Sequence, residues 1–232
     1  MPDASLPSIA ARFRILLREK LFLTIALNLF FWSGYSLLAR HACFPLREVP
    51  LTPLDRAIPF EPQLWTPLYL SEYIITFFIP WLITKRTELR NFVRGMLIMS
   101  CACFAIFLFF PTASPRPQII PELPLYHFVL WMDGPLNAFP SLHAAFLIFT
   151  LCLAREILKP LRPYTGISLW LWAAAILYAT IATRQHYVAD LLAGALIGYV
   201  SHKFAWRTRK APAEASASTV LSCASQSHDG AR

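Results

Sequence analysis

Charge is scarce in this chain: of 232 residues only 15% are Asp, Glu, Lys or Arg, while 56% are hydrophobic. A water-soluble domain carries about 25% charged and about 45–50% apolar residues, so the composition excludes an ordinary soluble globule. Cysteine is too sparse and badly placed for a disulfide scaffold. Of Cys43, Cys101, Cys103, Cys152 and Cys223, three lie inside apolar runs and the last in the polar tail. Metal-ligand spacing is also missing. There is no His-x-x-x-His, and Cys101 and Cys103, two apart on an apolar helix, point to different sides and read as packing residues. No internal repeat is visible, which argues against stacked arrays. Acidic residues are the minority sign, 13 against 21 Lys and Arg, for a net charge of +8. In an apolar chain a cytoplasmic bias of basic loops explains that excess more simply than nucleic-acid binding does.

What is present is hydrophobic runs near the length that spans a hydrocarbon core, about 20 residues. Six are expected: Leu21–Ala39, Pro67–Thr84, Gly95–Pro111, Leu142–Leu158, Gly166–Thr183 and Tyr187–Trp206. The fold expected is therefore all-α, a polytopic membrane protein of six transmembrane helices. The basic residues Arg12, Arg14, Arg18 and Lys20 resemble the start of a signal peptide. The apolar run behind them is too long, however, and Arg40 and His41 follow it instead of a small-residue cleavage site. An uncleaved first helix is expected.

The connecting segments separate by charge. One side holds Arg12, Arg14, Arg18, Lys20, Lys85, Arg86, Arg90, Arg94, Arg155, Lys159, Arg162, Lys203, Arg207, Arg209, Lys210 and Arg232, sixteen of the 21 basic residues. The other side holds Arg40, Arg47, Arg56, Arg116 and Arg184. The positive-inside rule then puts both termini in the cytoplasm. Residues 1–20 form a basic cytoplasmic N-terminus, 21–206 the membrane catalytic domain, and 207–232, rich in Ala and Ser, a disordered cytoplasmic tail. The Pro-rich outer segments Arg40–Thr66 and Thr112–Ser141 carry aromatics such as Phe60, Trp65, Tyr126 and Trp131, and are expected as lids or interfacial helices. The turn between the last two spans is so short that they are expected to be antiparallel neighbours.

His143 and His186 each open an apolar run on the same, outer side. Ser141 precedes His143 as a good helix N-cap. Asp190 lies four residues after His186, on the same helix face, where a carboxylate can accept the Nδ1 proton and leave Nε2 free to attack. Attack on phosphorus gives a phosphohistidine. His143 can protonate the leaving oxygen and then deprotonate the incoming water or alcohol. Two helix N-termini, with Arg116 and Arg184 nearby, supply positive charge for an anionic phosphate. Each residue has a plainer reading: hydrogen-bonding histidines at an interface, Asp190 complementing its helix dipole, and arginines anchored to lipid phosphates. Their convergence on one face favours a site. His41, His127, His202 and His228 have no partner in the sequence and receive no role.

At these residues the chain resembles the type 2 phosphatidic acid phosphatase superfamily, which also includes haloperoxidases. That family's first motif is a Lys followed seven residues later by Arg-Pro, and Arg116-Pro117 resembles its end. Pro140-Ser141-Leu142-His143 resembles the second motif, Pro-Ser-Gly-His. His186-x-x-x-Asp190 resembles the end of the third, Ser-Arg, five residues, His-x-x-x-Asp. The likeness spans about Leu51 to Trp206, since Asp55-Arg-Ala-Ile-Pro-Phe60 resembles the first outer loop of one branch. The chain departs from the pattern at Phe109, where the Lys would fall, at Thr180, where the third-motif Arg would fall, and at Leu142 in place of Gly. In this it is similar to the branch of inositol phosphorylceramide and sphingomyelin synthases.

The resemblance implies His186 as nucleophile, Asp190 as its partner, His143 as acid and base, and Arg116 as phosphate ligand. Ser141 and Arg184 are expected to join the phosphate site, Arg184 in place of the missing arginine. The function expected is a metal-independent lipid phosphatase or headgroup phosphotransferase in the cell's inner membrane, its site facing the periplasm or exterior. The expected partners are the bilayer and a phospholipid or isoprenoid phosphate; no cofactor and no nucleic acid are expected, and protein partners are not specified. A transporter relaying protons, or a non-enzymatic binding protein, are the alternatives.

Overall fold

The computed structural model describes residues 7–159 and 163–207. The tail expected to be disordered lies, from residue 208 on, outside the described residues, as do Arg162 and His228. Ten helices make up the described chain: α1 (Ile9–Arg14), α2 (Leu17–Arg40), α3 (Pro53–Ala57), α4 (Pro62–Leu70), α5 (Glu72–Trp81), α6 (Arg86–Phe109), α7 (Pro124–Met132), α8 (Leu142–Ile157), α9 (Pro163–Ala182) and α10 (Val188–Arg207). Among the described residues β-structure is limited to two isolated bridges, Arg47 with Thr112 and Ala113 with Leu136. The all-helical class expected from the composition is what folds.

Helices α2, α6 and α9 are long and apolar enough to cross a membrane, with mean hydropathies of 1.6, 2.1 and 1.6. Large apolar side chains stay exposed on their flanks, among them Phe22, Leu29 and Leu171. Such surface is covered by lipid rather than water in a membrane protein.

α8 is the central element. Residues all around it are buried, from Leu142 and Ala144 through Phe149 to Ile157, because α5, α6, α9 and α10 all pack against it. α10 comes closest. Its Gly194 and Gly198 lie four apart on one face, and a Cβ on either would run into the carbonyl of Ser141 or of Ala145 on α8. Small residues at this spacing let two helix backbones touch in a membrane. Here they draw the start of α10 against the start of α8. Ile181 and Ala182 of α9 share a buried cluster with Leu191 of α10 near the turn that joins the two helices, but each helix finds its main partners elsewhere. α9 packs on α4 and α8, while α10 packs on α8 and α6, because the glycine face of α10 prefers α8.

The second expected span is broken in two. Pro67 lacks an N–H, and Ser71 bonds back through its N–H to Pro67 O and Leu68 O, both at 3.1 Å, and through Oγ to Leu68 O at 2.6 Å. These features tighten the chain locally and separate α4 from α5. The break puts Glu72 in the first turn of α5, and it is 2% exposed.

At the basic end, two of the cations expected on the cytoplasmic side, Arg12 and Lys20, are buried. Arg12 Nη1 donates to Leu82 O at 3.2 Å and Ile157 O at 3.3 Å. Lys20 Nζ donates to Trp81 O at 2.6 Å and Arg12 O at 2.8 Å. Carbonyls at helix C-termini have no intrahelical partner and carry partial negative charge. Arg12 and Lys20 satisfy those closing α5 and α8.

Candidate active site

The opposite end of α8 carries the two histidines. Their ring centroids are 5.6 Å apart, and both line one cavity of about 150 Å³. The close approach of α10 to α8 explains the pairing. Ser141 N donates to Asp190 O at 3.0 Å, which joins the two helix starts directly. Ser141 also caps α8 as expected, its Oγ accepting from Ala144 N at 3.3 Å. That side chain is fully buried and directed to its own helix.

His186 Nδ1 lies 3.0 Å from Ala138 O and 3.5 Å from Asp190 Oδ2. Both neighbours are acceptors, so Nδ1 carries the proton and, in the neutral ring, Nε2 keeps its lone pair. The place beside Nδ1 expected for Asp190 is thus shared with the Ala138 carbonyl, which lies nearer. Asp190 Oδ2 also accepts from Tyr187 N at 2.9 Å, closing the first turn of α10. The residue's dipole-capping and histidine-facing roles coexist.

His143 has partners that sequence reasoning missed. Its Nδ1 faces Glu72 Oε2 at 2.8 Å. Its Nε2 faces the Tyr69 hydroxyl at 2.6 Å and Asp133 Oδ1 at 3.5 Å. Tyr69 has a single proton and donates it to Asp133 Oδ2, so its oxygen must accept from Nε2–H. With the Glu72 carboxyl on the other nitrogen, His143 sits between two acids, an arrangement that favours its imidazolium form. Burial alone would raise the Asp133 carboxyl. The charge of His143 and hydrogen bonds from His143 and Tyr69 outweigh it and hold the group below the usual carboxylate range. One signal for Glu72 was present in the sequence: it is the only charged residue in Pro67–Thr84, and ionisable groups inside a span are costly unless paired. Asp133 gave no such signal, since an Asp-Gly pair in a loop reads as a turn.

The positive groups are arranged less simply than expected. Arg116 Nη2 donates to Leu130 O at 3.2 Å and to Asp133 O, bracing the segment that carries Asp133. Arg184, at a left-handed φ of 54°, sends Nη1 to Asp55 O at 2.8 Å and Nη2 to Ile58 O at 3.0 Å. The helix-end amides thought free for phosphate are partly occupied. Val188 N donates to Asp55 Oδ1 at 2.8 Å, while Tyr187 N is held by Asp190 and Ala144 N by Ser141. Asp55 is fully buried and also closes a capping box with Thr52. It therefore staples the first outer loop onto the turn that carries His186. Thr180 is buried, and its carbonyl accepts from Gln185 N at 3.0 Å and His186 N at 3.4 Å, shaping that same turn. Phe109 ends α6 and is 64% exposed.

Away from the histidines the cavity is apolar. It runs between α2, α5, α6 and α8 past Tyr35, Phe31, Phe77 and Phe92 to Lys20. Among the described residues no group of three or more His, Cys, Asp or Glu is arranged to hold a metal ion. Glu72 and the Tyr69 hydroxyl already engage the two ring nitrogens of His143.

A profile of the PAP2 superfamily matches residues 67–204. Among solved structures, the crystal structure of Aquifex aeolicus LpxE is similar, at 16% identity over 77% of this chain and 93% of that chain, with a TM-score of 0.44. No curated protein matches.

Proposed function

This chain belongs to the PAP2 superfamily, and on that premise we propose that it is a membrane enzyme that removes or transfers the phosphoryl group of a lipid phosphate through a phosphohistidine. The observation that carries the reading is the pairing of two unlike histidines across one cavity, 5.6 Å between ring centroids. One has a free Nε2 lone pair. The other is a proton-bearing imidazolium. Nucleophilic catalysis and general acid catalysis need that combination.

His186 Nε2 attacks phosphorus and forms an N–P bond as the P–O bond to the lipid breaks. His143 gives its Nε2 proton to the departing oxygen, and the Tyr69 hydroxyl, Asp133 and Glu72 hold the ring in place. The neutral His143 then takes a proton from water or an alcohol, whose oxygen attacks the phosphohistidine and restores His186. Arg116 and Arg184 brace the walls through the carbonyls of Leu130, Asp133, Asp55 and Ile58 and bring positive charge to the phosphate site; Ser141 holds the start of α8 beside it. Their charge offsets that of the two carboxylates near His143. No metal step is needed, since these cations supply the stabilisation of the transferring group.

The chain crosses the membrane six times in this reading, through α2, α4 with α5, α6, α8, α9 and α10. Residues 21–206 form the catalytic domain between a cytoplasmic N-terminus and a cytoplasmic tail. The charge asymmetry of the loops supports that orientation and puts the histidines at the outer face of the inner membrane. The apolar arm of the cavity suits a hydrocarbon chain of the substrate. That largely apolar arm also supports a second reading, in which a lipid alcohol rather than water accepts the phosphoryl or phospho-headgroup. Incubating purified protein with phosphatidic acid, with and without a lipid alcohol, tests both. Released phosphate identifies the hydrolase and a new phospholipid the transferase. Neither product, from lipid monoesters, diesters or isoprenoid phosphates, would reject the enzyme.

A further inference from the structure

Asn137 stands in the loop before α8 with a φ of 72°, the left-handed region that asparagine tolerates better than most residues. Its backbone is pinned on both sides. Leu136 bridges Ala113, Ala138 N donates to Thr112 O at 3.3 Å, and Ala138 O takes the His186 Nδ1 proton at 3.0 Å. The side chain is only 4% exposed, yet neither Oδ1 nor Nδ2 has a hydrogen-bond partner. Burying such groups unpaired costs about 1–3 kcal/mol each. Among the described residues the other unpartnered buried side-chain atoms belong to Arg116, Asp190, His202 and Trp206. None of those residues lines the histidine cavity, whereas Asn137 does.

Several donors expected to meet the phosphate are otherwise engaged. The α10 amides of Tyr187 and Val188 are taken by Asp190 and Asp55, and both arginines are anchored to carbonyls. A primary amide offers a donor and an acceptor side by side, which matches one nonbridging oxygen and one hydroxyl of a protonated phosphate. It also brings no further charge to a cavity that already holds Glu72 and Asp133. We propose that Asn137 is a substrate-binding residue, donating through Nδ2 to a nonbridging phosphate oxygen and accepting a P–OH proton at Oδ1. Beside the carbonyl that orients His186, it would seat the phosphorus in front of the nucleophile. The inference rests on the reading of this cavity as a phosphate site.

Two variants test it in the full chain in detergent micelles. Asn137→Gly keeps the left-handed backbone and removes the amide; Asn137→Asp keeps the shape and replaces the donor with a carboxylate. Calorimetric titration with inorganic phosphate should show Asn137→Gly weakening the Kd by about tenfold or more, since a hydrogen bond to a charged group is worth that much. Asn137→Asp should weaken it further. The melting temperature of the glycine variant should hold or rise, because an unpaired amide stabilises nothing. With phosphatidic acid in mixed micelles, its KM should rise as well. A smaller change in phosphate Kd, a wild-type chain that binds no phosphate, or a melting temperature that falls with the affinity overturns the assignment. Phosphatidic acid turnover that is normal in wild type and unchanged in Asn137→Gly sinks Asn137 alone and leaves the enzyme reading intact. Amide-dependent phosphate binding without lipid turnover keeps Asn137 as a free-phosphate ligand and rejects the enzyme.

Discussion

The two ends of the α8 helix treat buried polar groups in opposite ways. At its C-terminal end, Arg12 and Lys20 meet the carbonyls of Leu82, Ile157 and Trp81, and charge is spent on closing helices. At its N-terminal end, His143 is held between Glu72 and Asp133, and the side-chain amide of Asn137 has no hydrogen-bond partner. The first arrangement lowers the free energy of the fold. The second retains groups that a stability-optimised protein would satisfy or replace, as functional sites commonly do. The same helix therefore separates a structural end from a chemical end.

That contrast breaks most sharply if carboxylates at the chemical end prove to be merely structural. Asp190→Asn and Glu72→Gln should each lower kcat by roughly a hundredfold to ten-thousandfold, the range of misplaced or weakened acid-base groups. KM should change far less, and the melting temperature should stay near wild type because the amides preserve shape. Loss of folding without a kcat defect in the folded fraction would move both residues to the structural side. Arg184→Lys keeps the charge but loses the planar fork that reaches Asp55 O and Ile58 O. Turnover should fall by about tenfold, one charged hydrogen bond's worth. Near wild-type turnover would leave Arg184 as a loop anchor only. At the structural end, Arg12→Met should not change turnover per folded molecule. It should lower the melting temperature by several degrees, since each carbonyl left unpaired costs about 1–3 kcal/mol and a chain of this size loses about 2–4 °C per kcal/mol. A kcat defect there would show that the two ends are coupled.

The residues that were legible in the sequence are those with short-range signatures. Ser141 as an N-cap, the apolar run behind it, and Asp190 one helical turn after His186 are set by spacing alone, and the structure has each in that local geometry. The pairing of His143 with His186 was expected from their common side and follows from Gly194 and Gly198 drawing α10 onto α8. What stayed hidden depends on long-range contact. Asp133 and Glu72 reach His143 across separations of 10 and 71 residues, and nothing periodic links them. The break at Ser71 was masked by the strongly apolar residues on both sides of it, although Pro67 and Glu72 lay close by. The capture of helix-end amides by Asp55 was equally invisible, because a buried loop carboxylate 133 residues from Val188 leaves no local trace.

The most direct test of the central claim is to trap the intermediate. Purified protein would be mixed with phosphorus-labelled lipid phosphate, quenched within milliseconds under alkaline conditions that preserve phosphohistidine, and digested for peptide mapping. The account predicts label on His186, none in His186→Ala, and none needed on any other residue. Label on His143, on a serine or on an aspartate, or full turnover by His186→Ala, would contradict it.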